Sequence, residues 1–272
     1  MAAVNPTRLR HQVGELMTLF EAPVEFHQAL CTLFSLYANH GLRFGEAAPV
    51  RPLIPMFHLP HPVVRQLNLD LKTQIATNSP AALALADELW NDTYYEVKQT
   101  ALFVLGEVVT DDPEPILDRL KGWLTPDLDQ VLKSDLFSIG TRSLQENFPQ
   151  TWETWVRSLL SDPDPKVNTL GIQALAAGAQ RPNFQNLPTI FRLSSPFIRD
   201  VHSANIKDLE ALVGVLAEIS PQETGFYLRQ TLSISSSLAK NRLIKNCLKF
   251  FPAEIQADLK SVLEKDNDSL HP

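Results

Sequence analysis

One carboxylate stands at a position where the sequence otherwise places small residues. Apolar stretches recur along the chain, and the residues four places into three of them are Ala101, Asp135 and Gly171. A charge in a closely packed position loses its solvation, which costs free energy unless other groups compensate for it. Residues that carry this cost are enriched at functional sites. Asp135 is therefore the candidate catalytic carboxylate. The alternative is a slightly rotated helix in which Asp135 pairs with a basic neighbour such as Lys133 or Arg142.

Positive charge is concentrated near the C-terminal end of the chain. Between residues 224 and 253 there is no Asp or Glu, whereas Arg242, Lys245 and Lys249 are spaced three and four residues apart. This spacing predicts one stripe on the last repeat helix, able to follow the phosphates of a nucleic acid. A solvated face near a helix C-terminus, where cations are favoured, explains it equally well. The full predicted nucleic-acid-binding set is Arg142, Lys166, Arg242, Lys245 and Lys249.

The common catalytic and metal-binding motifs are absent from the sequence. It has no Gly-rich phosphate loop, Ser-His-Asp order, CxxC, HExxH or EF-hand pattern, which argues against the enzymes that carry them. His58 and His61 are three residues apart, but Pro60 intervenes and no third ligand is evident. Cys31 and Cys247 lie in apolar helical patterns and are predicted to be buried, reduced thiols. We therefore predict no metal site and no cofactor.

The elements that position these residues are predicted from a recurring valine. The valines at 64, 97, 131 and 167 each follow a turn-forming segment, at intervals of 33, 34 and 36 residues. Such intervals are typical of helix pairs that stack into solenoids. Apolar residues repeat every three or four positions and rarely alternate, which predicts an all-helical fold. Trp152 and Trp155, three residues apart, can bind a planar ligand, but this spacing favours core packing.

We predict an all-α, HEAT-like helical-repeat α-solenoid of about six helix pairs, formed by residues 1–272 as a single domain. The predicted repeat helices lie near 64–76, 97–109, 131–145, 167–179, 209–219 and 239–251. Two stretches are predicted to be irregular: residues 41–60, which contain several prolines, and residues 181–205, the expected place of an insertion.

Composition narrows the class of protein. The chain has 272 residues, 44% of them hydrophobic and 20% charged, as in globular proteins. A net charge of -7 argues against general adhesion to nucleic acid, although a local basic patch is compatible with it. No apolar run reaches membrane-spanning length and the N-terminal residues lack the hydrophobic region of a signal peptide. We predict a cytoplasmic protein without membrane contact.

Three segments resemble one known family. The segment Asp87-Glu88-Leu89-Trp90, the segment Tyr95-Glu96-Val97 with Ala101, and the loop Gly41-Leu42-Arg43 are similar to the AlkD family of alkylpurine DNA glycosylases. The resemblance extends over residues 25–255. It implies an all-helical HEAT-like solenoid that holds duplex DNA in a basic concave face and excises positively charged alkylated bases.

The same resemblance implies roles for particular positions. The family's active site has a Trp followed four residues later by an Asp, and a second Trp at the start of the next repeat. By repeat register these positions are Val131, Asp135 and Lys166. Asp135 would stabilise the cationic sugar that develops as the glycosidic bond breaks. Valine and lysine, however, cannot form an aromatic cleft that holds a cationic base by cation-π contact.

Three functions follow as hypotheses. The leading one is a binding module of this family, without catalysis, that engages nucleic acid or an acidic partner through its concave face. The second is a DNA N-glycosylase for alkylated bases, in which Asp135 is the catalytic carboxylate. The third is a protein-protein scaffold. The expected partners are therefore duplex DNA or a protein.

Overall fold

The computed structural model describes residues 4–39, 52–181, 186–232 and 237–270. Within them the regular structure is helical, without strands, and the predicted all-α class is confirmed. The chain divides into two compact units, residues 1–152 and residues 153–272. The HEAT-like solenoid arrangement, the number of helix pairs and the single domain stay predictions.

The first unit contains eight helices and the beginning of a ninth in its described residues. They are α1 (Pro6–Met17), α2 (Pro23–Tyr37), α3 (His61–Thr77), α4 (Ser79–Trp90), α5 (Tyr95–Glu107), α6 (Glu114–Trp123), α7 (Gln130–Asp135) and α8 (Arg142–Asn147), followed by α9 (Pro149–Leu160). A π-helical turn, Leu136–Gly140, joins α7 to α8.

The described part of the second unit continues from α9 with six further helices. They are α10 (Pro165–Ala179), α11 (Leu187–Arg199), α12 (Ile206–Ile219), α13 (Pro221–Leu232), α14 (Leu238–Cys247) and α15 (Ala253–Leu270). Short 3-10 turns, Ser203–Asn205 and Leu248–Phe250, precede α12 and follow α14. No helix among the described residues has the length and apolar character needed to cross a membrane.

Local sequence explains where many of these helices begin. The side chain of Asp129 accepts hydrogen bonds from the first backbone N–H groups of α7, and Asp164 does the same for Lys166 in α10. Prolines occupy the first turn of α2, α3, α4 and α10, where a missing N–H costs no helical hydrogen bond. The prolines thus mark the starts of these helices.

Small residues allow close helix contacts in both units. The predicted apolar stripe of α5, formed by Val97, Ala101, Val104 and Leu105, is fully buried. In the second unit, a Cβ at Gly171 would lie only 2.7 Å from the side chain of Leu160. A larger residue at 171 would therefore push α10 away from α9.

Three expectations about single segments differ from the structure or lie outside it. The helix predicted near 239–251 ends at Cys247, and a 3-10 turn follows it. The irregular stretch 181–205 contains the helix α11. The loop Gly41-Leu42-Arg43 lies outside the described residues.

The structure also shows how deeply the two tryptophans and the two cysteines are buried. Trp152 and Trp155 are each 4% exposed, which favours their role in packing over binding of a planar ligand. Both cysteines are reduced; Cys247 is buried as predicted, whereas Cys31 is only partly buried because it lies at the edge of α2 facing the turn after α4.

Candidate active site at Asp135

Asp135 is the last residue of α7, directly before the π-helical turn. Helical turns of this kind are rare and are often found at functional sites. The turn packs closely against α5: a Cβ at Gly106 would lie 2.1 Å from the carbonyl oxygen of Ile139. Only glycine permits this approach, which brings the end of α7 against the exposed side of α5.

Two side chains of α5 hold one oxygen of Asp135. The hydroxyl of Tyr95 donates a 2.6 Å hydrogen bond to Oδ2, and the amide of Gln99 donates a 3.1 Å bond to the same oxygen. Gln99 also donates to the Tyr95 hydroxyl oxygen at 2.8 Å. The other oxygen, Oδ1, accepts no hydrogen bond from the described residues. Among the described residues, the carboxylate is thus held through one oxygen alone.

Burial leaves the Asp135 carboxyl with little solvation and disfavours its charged form. Desolvation raises its pKa above the ordinary value, the charge of Asp129 adds to this effect, and the bonds from Tyr95 and Gln99 oppose it. Burial and the neighbouring Asp135 also raise the pKa of Tyr95, so its hydroxyl remains a donor. A weakly solvated carboxylate interacts strongly with a positive charge brought next to it. The site is therefore electrostatically prepared for a cation.

The basic residues near Asp135 in sequence have other partners. Lys133 donates to the carbonyl of Pro126 at 2.5 Å, because residues two apart on a helix point in different directions. Arg142 forms an ion pair with Glu107. The partners of Asp135 are thus the neutral donors of α5, and not Lys133 or Arg142.

A basic groove lies beside the C-terminal half of α5. Its volume is about 310 Å³, and its lining includes Arg65, Lys72 and Arg142 together with one carboxylate, Glu107. Glu107 pairs with Arg142 and also with Lys72, at 3.0 Å. Three cations face one carboxylate, so the groove has an excess of positive charge. It is suited to an anion such as a phosphate.

One row of α5 connects the carboxylate to this groove. Tyr95, Gln99, Phe103 and Glu107 follow at four-residue intervals, and all four are partly exposed while most of their neighbours in α5 are buried. Phe103 lines the groove and also a smaller cavity of about 120 Å³ that contains Gln99. At 1.5 Å per residue, Gln99 and Glu107 lie about 12 Å apart along the helix. Asp135 and the groove therefore lie beside the same helix, the carboxylate near its start and the groove near its end.

The proline-rich stretch before α3 is bonded to the starts of α5 and α7. Glu96 of α5 is buried and accepts hydrogen bonds from the backbone N–H groups of Phe57 and His58, at 2.9 and 2.7 Å. Asp129, which caps α7, accepts a 2.8 Å bond from the N–H of Leu53. The residues described from 52 to 60 are thus fixed to the starts of both helices that hold Tyr95 and Asp135.

The remaining predicted nucleic-acid-binding residues belong to the second unit. Lys166 is exposed in the first turn of α10, and Arg242 and Lys245 are exposed on α14. Lys249 lies beyond the end of α14, so it is not part of a continuous helical stripe. It donates a 2.6 Å hydrogen bond to Glu210, which lowers the pKa of that carboxyl, and it lies over the ring of Phe250.

Sequence reasoning missed Tyr95, Gln99, Phe103, Arg65 and Lys72. The α5 residues could have been found from the sequence, because Tyr95, Gln99 and Phe103 are four residues apart and interrupt an otherwise apolar helix. The groove residues of α3 carried no such pattern.

Comparison with known proteins gives one match. Residues 50–205, more than half of the chain, match a family model described as DNA alkylation repair enzyme. There is no match among curated proteins and none among solved structures.

Proposed function

The chain belongs to the DNA alkylation repair enzyme family, and on that premise we propose that it is a DNA N-glycosylase for cationic alkylated bases. The supporting observation is Asp135, a largely desolvated carboxylate held through one oxygen by Tyr95 and Gln99. The basic groove beside α5 supports duplex DNA as the substrate, because Arg and Lys side chains bind its phosphates.

The proposed reaction needs no cofactor. When the bond between C1′ of the sugar and the alkylated base breaks, its electron pair goes to the base, which leaves as a neutral molecule. The sugar becomes a cation, and Oδ1 of Asp135 stabilises it electrostatically. Water then adds to C1′ and loses a proton, which Asp135 can accept.

In this proposal, the aromatic contact with the base comes from residues other than those at the implied tryptophan positions. Val131 and Lys166 occupy the positions where the resemblance implies tryptophan. The partly exposed rings of Tyr95 and Phe103, one helical turn on either side of Gln99, are aromatic surfaces on the helix that holds Asp135. A cationic base is attracted by the face of such a ring.

The test is release of bases from duplex DNA treated with a methylating agent. Wild type should release methylated purines, and Asp135→Asn should release them at least about 100-fold more slowly, as expected when one charge-stabilising group is lost. Asp118→Asn removes an exposed carboxylate of α6 and is the matched control. Lack of release by wild type contradicts the proposal. Equal release by wild type and Asp135→Asn would show that the charge of Asp135 has no role in the reaction.

A second candidate is a DNA-binding member of the family without catalysis. It is favoured by Val131 and Lys166, which stand where the resemblance implies tryptophans. Duplex binding without base release would support this candidate, and absence of both would favour the third hypothesis, a protein scaffold.

A further inference from the structure

A second cluster of reactive side chains lies in the first unit, between α2 and the turn after α4. His27 and Cys31 are one helical turn apart on α2, and Asp92 follows the end of α4. Their nitrogen, sulfur and oxygen atoms lie within 4.8 Å of one another. The side chains of His27 and Asp92 are only 22% and 11% exposed. The glycosylase proposal uses none of these residues.

The distances between the ligand atoms of the cluster can be compared with those around a zinc ion. Nε2 of His27 is 2.5 Å from Oδ2 of Asp92, and Sγ of Cys31 is 3.7 Å from the same oxygen. Around tetrahedral zinc, sulfur and oxygen ligands lie about 3.6 Å apart, and nitrogen and oxygen ligands about 3.4 Å apart. The Cys31 distance already fits. The His27 distance must open by about 0.9 Å, which a rotation of the ring or carboxylate provides.

Neighbouring groups hold two of these residues in the orientation that metal ligands need. Nδ1 of His27 is 3.2 Å from a carboxylate oxygen of Glu88, so Nε2 is the nitrogen that faces Cys31 and Asp92. Metal-binding histidines usually donate their second ring N–H to a carboxylate in this way. Oδ1 of Asp92 accepts a 2.6 Å bond from the backbone N–H of Tyr94, which leaves Oδ2 as the ligand atom.

We propose that His27, Cys31 and Asp92 bind a zinc ion, with Glu88 orienting His27. A thiolate and a carboxylate supply two negative charges against the two positive charges of the ion, and the imidazole is neutral. Mixed sulfur, nitrogen and oxygen ligands are typical of zinc. With three protein ligands, the fourth tetrahedral position takes a water molecule or an added group.

The ion would connect α2 to the segment that leads into α5. Asp92 is bonded to the N–H of Tyr94, and Tyr95 begins α5 and holds Asp135. Zinc bound here would therefore stabilise the folded first unit. The inference rests on this cluster alone and does not depend on glycosylase activity.

Cobalt(II) is the probe for the test, because a thiolate ligand gives it a characteristic near-ultraviolet charge-transfer absorption. The metal-free full-length protein should take up one Co²⁺ per chain with this absorption, and Zn²⁺ should displace it. Cys31→Ser should abolish the band, whereas Cys247→Ser, the matched control in the second unit, should retain it. Glu88→Gln should weaken zinc binding by roughly 10- to 100-fold.

The first two results that would overturn the proposal concern the absorption band. One is a wild-type protein without thiolate absorption at stoichiometric Co²⁺, and the other is an unchanged band in Cys31→Ser. If Cys31→Ser does not fold, as judged by circular dichroism, His27→Gln replaces it and must reduce the affinity for Co²⁺ at least about tenfold. An unchanged affinity in His27→Gln also contradicts the site.

Discussion

Tyr95 and Asp135 are 40 residues apart in sequence and are joined by a 2.6 Å hydrogen bond between the phenol and the carboxylate. The bond connects the first turn of α5 to the last residue of α7. Because the π-helical turn and Gly106 fix the distance between these segments, the orientation of the carboxylate depends on α5 as a whole. Tyr95 is therefore a positioning residue in the proposed reaction.

Tyr95→Phe should slow base release by roughly 10- to 100-fold, since a small displacement of a reacting group has effects of this size. It should also change the pH profile. The Tyr95 hydrogen bond lowers the pKa of Asp135, so its loss moves that pKa further up and shifts the rise in activity to higher pH. Rates measured against pH for wild type and Tyr95→Phe test this. A uniform loss of rate without a shift would assign Tyr95 a purely structural role.

Asp135→Asn should stabilise the protein near neutral pH. The folded pKa of Asp135 lies above its ordinary value of 3.8, so the folded state binds this proton more tightly than the unfolded state. Stability is then lost as pH rises from the unfolded to the folded pKa, and stays lower above it. The amide avoids that loss and can still accept from Tyr95. Denaturant unfolding of both proteins at pH 7 should show the gain.

Near pH 3, below both pKa values, the gain from Asp135→Asn should disappear. A variant that is less stable than wild type at pH 7 would show that the carboxylate contributes to folding and is not a destabilised functional group.

Gly106→Ala should destabilise the first unit by about 1–3 kcal/mol, the usual cost of inserting a methyl group into a packed contact. The added Cβ would meet the carbonyl of Ile139 at 2.1 Å, and backbone must move to relieve it. Gly122→Ala in α6 is the control, because nothing lies within 4 Å of its Cβ. That substitution should be neutral or stabilising by about 0.5–1 kcal/mol. Urea unfolding measures both, and equal effects would contradict the packing argument.

The sequence predicted well what depends on local spacing. Helical periodicity is a property of neighbouring residues, so the all-α class and the buried stripe of α5 followed from it. Asp135 was identified because it broke that pattern. Its partners Tyr95 and Gln99 were missed, since their contact depends on how α5 packs against α7.

The metal-ligand cluster was missed for a related reason. Cys31 was interpreted as a buried helical thiol, although His27 lies one helical turn before it, because two such residues alone do not indicate a metal site. His27 and Asp92 are 65 residues apart and meet only through the packing of α2 against α4. Long-range pairs of this kind require tertiary structure.

Arg142→Gln should weaken duplex DNA binding and reduce its dependence on salt. Each phosphate contact contributes about 0.9 to the slope of log affinity against log salt concentration, so losing one contact lowers the slope by about that amount. Lys72→Gln should behave alike, because both cations line the same groove with Glu107. Lys121→Gln, an exposed lysine of α6, is the matched control. Affinity for a duplex is measured by fluorescence anisotropy at several salt concentrations. Equal slopes in wild type and both groove variants would show that DNA does not bind in this groove.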